Sequence, residues 1–114
     1  MSGMSTALTD KHCQRETSRL GDDEIETLRT QIHADWSVSE DGLEIARKFA
    51  FKNYYQTLAF VNALGWVAHQ QDHHPDLEVG YNRCIVHYST HSVGGLSEND
   101  FICAARIDAL VPDA

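Results

Sequence analysis

From Asn53 to Gln71 the chain runs without a proline, and Tyr54, Leu58, Phe60, Val61, Leu64, Val67 and Ala68 recur at spacings of three, four and seven. Such a stripe predicts one long amphipathic helix. Its end is set by Asp72-His73-His74-Pro75, because Pro75 disfavours helical geometry at His74 and has no backbone N–H to donate. Two adjacent histidines are thereby pinned in a turn at a helix end. A helix with one apolar face must bury it against another layer, and the flanking sequence supplies that layer.

Before the helix, Trp36 and Val38 alternate with polar residues, Asp41-Gly42 offers the left-handed backbone of a tight turn, and Leu43, Ile45 and Phe49 alternate again. This predicts a β-hairpin with Leu43, Ile45 and Phe49 inward and Glu44 and Lys48 outward. After the helix, Leu77, Val79 and Tyr81, then Cys84, Val86 and Tyr88, predict a second hairpin joined through Asn82-Arg83. Asp22, Asp23 and Glu24 place negative charge at the start of a short helix over about 22–33, where the helix dipole favours it. Ser97-Glu98-Asn99-Asp100 has the Ser-x-x-Asp form of a helix start, and Pro112 ends the apolar run behind it. The expected fold is α+β, a four-stranded antiparallel sheet with three helices packed on one face in the order α-β-β-α-β-β-α. Residues 1–20, whose Ala7, Leu8 and Leu20 form no face, read as a mobile N-terminal tail ahead of a single domain over 21–114.

Composition limits the function classes. Seventeen acidic residues against nine Lys plus Arg give a net charge of −8, so there is no basic footprint for a phosphate backbone and no direct nucleic-acid partner is expected. Cys13, Cys84 and Cys103 are an odd set without C-x-x-C spacing, which argues against a disulfide framework and fits a reducing cytoplasmic setting. No apolar run reaches the roughly 18 residues of a membrane span, and the polar start lacks a signal peptide's apolar stretch, so a soluble, unexported protein with no membrane partner is expected.

The chemistry lies in the histidines. His12 and His33 are placed incidentally or at a helix end, and His87 sits mid-strand on the more polar face. His69 and His73, four apart on one helical face, could clip a divalent metal with Asp72 or His91 as third ligand, but the glutamate of a zinc protease motif is missing. General acid–base chemistry is the stronger reading, since imidazole both gives and takes a proton near neutrality, and Asp72 stands ready to orient one.

His73-His74-Pro75, Tyr81, Ser89-Thr90-His91, Gly95-Leu96-Ser97-Glu98 and Asp100, with Trp36 and Phe49-Ala50-Phe51 upstream, resemble the signature of the pterin-4a-carbinolamine dehydratases. The resemblance runs from Asp22 to Leu110. It implies the fold above and dehydration of 4a-hydroxytetrahydrobiopterin to quinonoid dihydrobiopterin and water, in tetrahydrobiopterin recycling, with no metal or other cofactor. It implies a pterin substrate, a homodimer or homotetramer, and a functional link to an aromatic amino-acid hydroxylase. Position by position, His73, His74 and His91 match the family's active-site histidines, with His73 and His91 expected to move protons and His74 to position the pterin. Asp100 matches the acidic residue closing the signature; satisfying backbone donors at its helix start is the competing role. Tyr81 is either a wall aromatic or a stacking partner, and Asp72 and Pro75 support the turn. Two departures stand out: His69 occupies a place where relatives often have glutamate, and Asp76-Leu77-Glu78 replaces a frequent aromatic pair. Relatives of the fold also serve as dimerisation or assembly partners, which is the alternative function.

Overall fold

The computed structural model describes residues 7–112. The turn at Gly42, with φ +72°, joins β1 (Ser37–Val38) to β2 (Ile45–Ala50), and Asp41 Oδ1 accepts from Leu43 N to hold it. The second hairpin pairs β3 (Asp76–Val79) with β4 (Arg83–Tyr88), closed by Gly80 N donating to Arg83 O. Arg83 is therefore the first residue of β4, and Tyr81 belongs to the turn rather than the strand. All pairings are antiparallel in the order β1-β2-β4-β3, so β2 against β4, in register from Ile45↔Tyr88 to Ala50↔Arg83, forms the centre.

One face of that centre is buried: Ile45 and Phe49 from β2, and Cys84, Val86 and Tyr88 from β4. Leu43 is only half-buried, and the inward place between Ile45 and Phe49 goes to Arg47. Its guanidinium lies 4.2 Å over the Phe49 ring and pairs with Asp108, which is how a cation is tolerated there. Helix α1 (Asp22–Arg29), helix α2 (Tyr54–Gln71) and helix α3 (Glu98–Asp108) form the covering layer, in the expected order. Helix α1 ends short of residue 33, because the chain turns at Thr30 to bring His33 N onto the Asp108 carboxylate. Helix α2 starts where Asn53 caps Gln56 N; Thr57, Phe60, Leu64 and Gln71 are its buried positions, while Tyr54, Leu58 and Trp66 stay exposed. No described helix is long and apolar enough to cross a membrane.

The expected mobile tail is corrected for residues 7–20; the first six lie outside the described residues. Leu8 is buried in the core, and the segment is tied down mainly through its backbone. Arg106 donates to Lys11 O, Cys13 N donates to Gln71 Oε1 at 2.7 Å, and Leu20 N donates to Leu96 O at 2.8 Å. Asn99 grips Gln14 from both sides, accepting from its N–H at 3.0 Å and donating to its carbonyl at 2.8 Å. Anchors of this kind leave no apolar period in the sequence.

Candidate active site

The C-terminal turn of α2 presents the first imidazole. Asp72 adopts the left-handed conformation with φ 51° and ψ 43°, a geometry Asp tolerates better than most residues. That reversal, not Pro75 alone, stops the helix, and His73 N then returns to Ala68 O at 3.1 Å. From the sheet, the Tyr88 hydroxyl donates to His73 O at 3.0 Å. The backbone of His73 is thus fixed from two elements.

Its side chain is fixed by a third. Asp100, fully buried near the start of α3, accepts from Ser97 N at 2.9 Å and from the Thr90 hydroxyl at 2.8 Å on one oxygen. The other oxygen accepts from His73 Nε2 at 2.6 Å. Since the Thr90 hydrogen points at Asp100, the Ser97 hydroxyl 2.7 Å away must donate to Thr90, giving a relay of Ser97, Thr90, Asp100 and His73. A carboxylate accepting at Nε2 fixes the tautomer and leaves Nδ1 of His73 with the lone pair. Burial pushes the His73 pKa down, but the hydrogen bond and charge of Asp100 outweigh it and hold it above the ordinary imidazole value. His73 is therefore a strengthened base with one nitrogen committed and one available.

His74 and His91 come to the same place. Asp72, His73, His74, Thr90, His91 and Ser92 line a cleft of about 280 Å³, with His74 and His91 exposed to solvent. A neighbouring cleft of about 400 Å³ shares Asp72, His73 and His74 and adds Pro75 and His69, whose ring lies 5.5 Å from that of Trp66. A larger cleft of about 580 Å³ lies between Thr17 and α1, but it contains no histidine. Tyr81 is not brought to the site: it stacks 6.2 Å from Tyr54, and its carbonyl accepts from Thr57, at the opposite end of α2. Its place as a substrate-stacking residue is thus not supported by the fold. The sequence marks Thr90 and Ser97 only as signature and cap residues, and the fold joins them in the relay. Among the described residues, no three or more His, Cys, Asp or Glu side chains converge as metal ligands would.

Residues 18–110 match the family described as Pterin 4 alpha carbinolamine dehydratase. The chain belongs to that family. A Legionella pneumophila (strain Corby) protein, provisionally named a pterin-4-alpha-carbinolamine dehydratase, is 50% identical over 113 residues, 96% of this chain and 100% of the relative. Among solved structures, a transcriptional coactivator/pterin dehydratase from Brucella melitensis superposes with TM-score 0.77 at 29% identity, covering 82% of this chain and 98% of its own. A pterin dehydratase-like protein identified as a RuBisCO assembly factor of the alpha-carboxysome gives TM-score 0.61 at 28% identity, over 72% and 95%. Among the solved structures, then, this fold is found under both a pterin dehydratase and an assembly-factor description.

Proposed function

We propose that the protein dehydrates 4a-hydroxytetrahydrobiopterin to quinonoid dihydrobiopterin and water, by acid–base catalysis in the cleft of His73, His74 and His91. The observation that carries this reading is the His73–Asp100 pair, which strengthens one imidazole and aims its second nitrogen away from the carboxylate. Water leaves the pterin when its hydroxyl gains a proton while the adjacent ring nitrogen pushes in electrons and gives up its own proton. One group must donate and another accept. His73, the stronger base, takes the ring proton; His91, across the cleft, protonates the departing hydroxyl; His74 orients the pterin. Such assistance contributes about 10²–10⁴-fold. The setting that goes with this chemistry is cytoplasmic tetrahydrobiopterin recycling by a homo-oligomer, fed by an aromatic amino-acid hydroxylase.

The test is stopped-flow decay of chemically generated 4a-carbinolamine with and without the protein, before and after chelator. Acceleration that survives the chelator is expected; no acceleration overturns the reading, and loss restored by zinc would move it to a metal. The second reading, an assembly partner, is favoured by the alpha-carboxysome neighbour and by the exposed Tyr55 and Trp66 on α2. A scaffold needs no His73–Asp100 pair, and it would leave carbinolamine decay at the background rate.

A further inference from the structure

Residues 7–17 precede the part of the chain that matches the family, residues 18–110, yet the Legionella relative aligns over 96% of this chain. The segment lies outside the residues that match the family model. It is also part of the site's surroundings: Cys13, Gln14, Arg15 and Thr17 form one wall of a cleft of about 410 Å³ whose other walls include His73 and Thr90. Behind that wall the sulfur of Cys13 lies 3.5 Å from the sulfur of Cys103 in α3, ninety positions away in sequence, and both are free thiols. We propose that Cys13 and Cys103 close reversibly to an intramolecular disulfide that fastens residues 7–17 beside His73 and Thr90 as the wall of that cleft.

The environments of the two thiols suit a two-step exchange. Cys13 is only half-buried and can meet a small disulfide from solution, whereas Cys103 is enclosed and can be reached only by Cys13. The hydrogen bond between the two thiols lowers the Cys103 pKa against the effect of burial, with the Tyr88 hydroxyl and His73 acting in the same direction. Together with burial it pushes the Cys13 pKa up, so the first attack falls to the small fraction of Cys13 that has lost its proton. The oxidant is a low-molecular-weight disulfide such as glutathione disulfide. Cys13, as thiolate, attacks one of its sulfurs and releases one thiolate. Cys103, as thiolate, then attacks the Cys13 sulfur of the mixed disulfide and releases the second. The two protein thiols lose two protons and two electrons, and the small disulfide is reduced to two thiols. Because the cross-link closes nearly the whole chain into a loop, it restricts the unfolded state strongly.

The experiment takes the full chain, reduced and desalted, through a series of glutathione/glutathione disulfide buffers and reads intact mass, peptide linkage and hydrogen exchange. The expected product is a monomeric chain lighter by two hydrogen atoms, with Cys13 joined to Cys103, slowed exchange over residues 11–17, and a Tm higher by at least about 10 °C. Cys13→Ser, at a half-buried position, removes the mass change and the Tm rise together. Thiols that stay reduced in the most oxidising buffer, a glutathione adduct on Cys13 that does not resolve, a link through Cys84, or a cross-link between two chains would each overturn the proposal. None of these readouts depends on dehydratase activity.

Discussion

His73 and His87 each hold a carboxylate at hydrogen-bond distance through the imidazole, the first at the end of α2 and the second on the open face of the sheet. His87, on β4, holds Glu44 through Nδ1 at 2.8 Å and Glu78 through Nε2 at 2.5 Å, and both glutamates are open to water at 41% and 60% exposure. His73 holds a single carboxylate with no exposure at all. In both cases burial opposes the imidazolium and the carboxylates win, so both pKa values are raised. A raised pKa therefore does not distinguish the histidine of the cleft from the one on the sheet. What differs is that His87 has spent both nitrogens on surface partners, whereas His73 has spent one on a buried acceptor and keeps the other for the cleft.

The comparison is broken most severely by exchanging the imidazoles for amides. His73→Gln is expected to lower carbinolamine turnover by about 10²–10⁴-fold, and His91→Ala by a similar factor, while His74→Ala mainly raises KM. His87→Gln should leave stopped-flow rates within about twofold. Should His87→Gln match His73→Gln, the distinction between one and two committed nitrogens would be wrong.

Next in size is the loss of each carboxylate. Asp100→Ala leaves His73, Thr90 and Ser97 N facing an empty acceptor site, and urea unfolding should read a loss of about 3–5 kcal/mol. Glu78→Ala removes a surface partner and should cost about 0–1 kcal/mol. Tyr88→Phe, which removes the single hydroxyl bond to His73 O, should cost about 1 kcal/mol and raise KM or lower kcat modestly.

A smaller effect separates the two regions by pH. Each raised imidazole stabilises the fold fully below the unfolded value of about 6.5 and loses that contribution as pH rises through its folded pKa. The stability gap between the wild type and His73→Gln, measured by denaturant titration, should therefore narrow as pH rises above about 6.5. The His87→Gln gap should narrow in the same direction by less, since its partners are solvated. Least of all, Tyr81→Ala should change no kinetic constant and cost only the stack on Tyr54, about 0.5–1 kcal/mol.

The elements with a strong period were legible in the sequence: the length of α2, the inward set Cys84, Val86 and Tyr88, and the turn at Gly42 all follow from alternation, helical spacing or a left-handed residue. The pieces that escaped have no period. Arg47 occupies a core position because Asp108, far off in sequence, neutralises it, and no strand pattern counts an arginine as inward. Leu8 is buried singly and Cys13 half-buried, in a segment anchored by backbone bonds to Gln71 and Asn99. Tyr81 alternates correctly with Leu77 and Val79 but falls in the turn, so the aromatic of the signature lands at the wrong end of the helix. The pairing of His73 with Asp100 was not legible from spacing at all. Only the family resemblance brought those two residues together, and only the fold supplies Thr90 and Ser97 behind them.

Helix α3 carries one hydrogen-bonded carboxylate near each end, the fully buried Asp100 beside His73 and the partly buried Asp108 beneath Trp36 Nε1, His33 N and Arg47. The two are eight positions apart, about 12 Å of helix. The helix is thereby registered along its own axis from the end remote from the cleft. A slide of about 1 Å would be enough to spoil the imidazole–carboxylate contact, and misplacements of that size cost about 10²-fold in rate. The position of Asp100 against His73 is thus held from Arg47 and Trp36, and under the proposed acid–base function a map of activity-reducing substitutions is expected to have two centres, one at the histidines and one at the opposite end of the same helix.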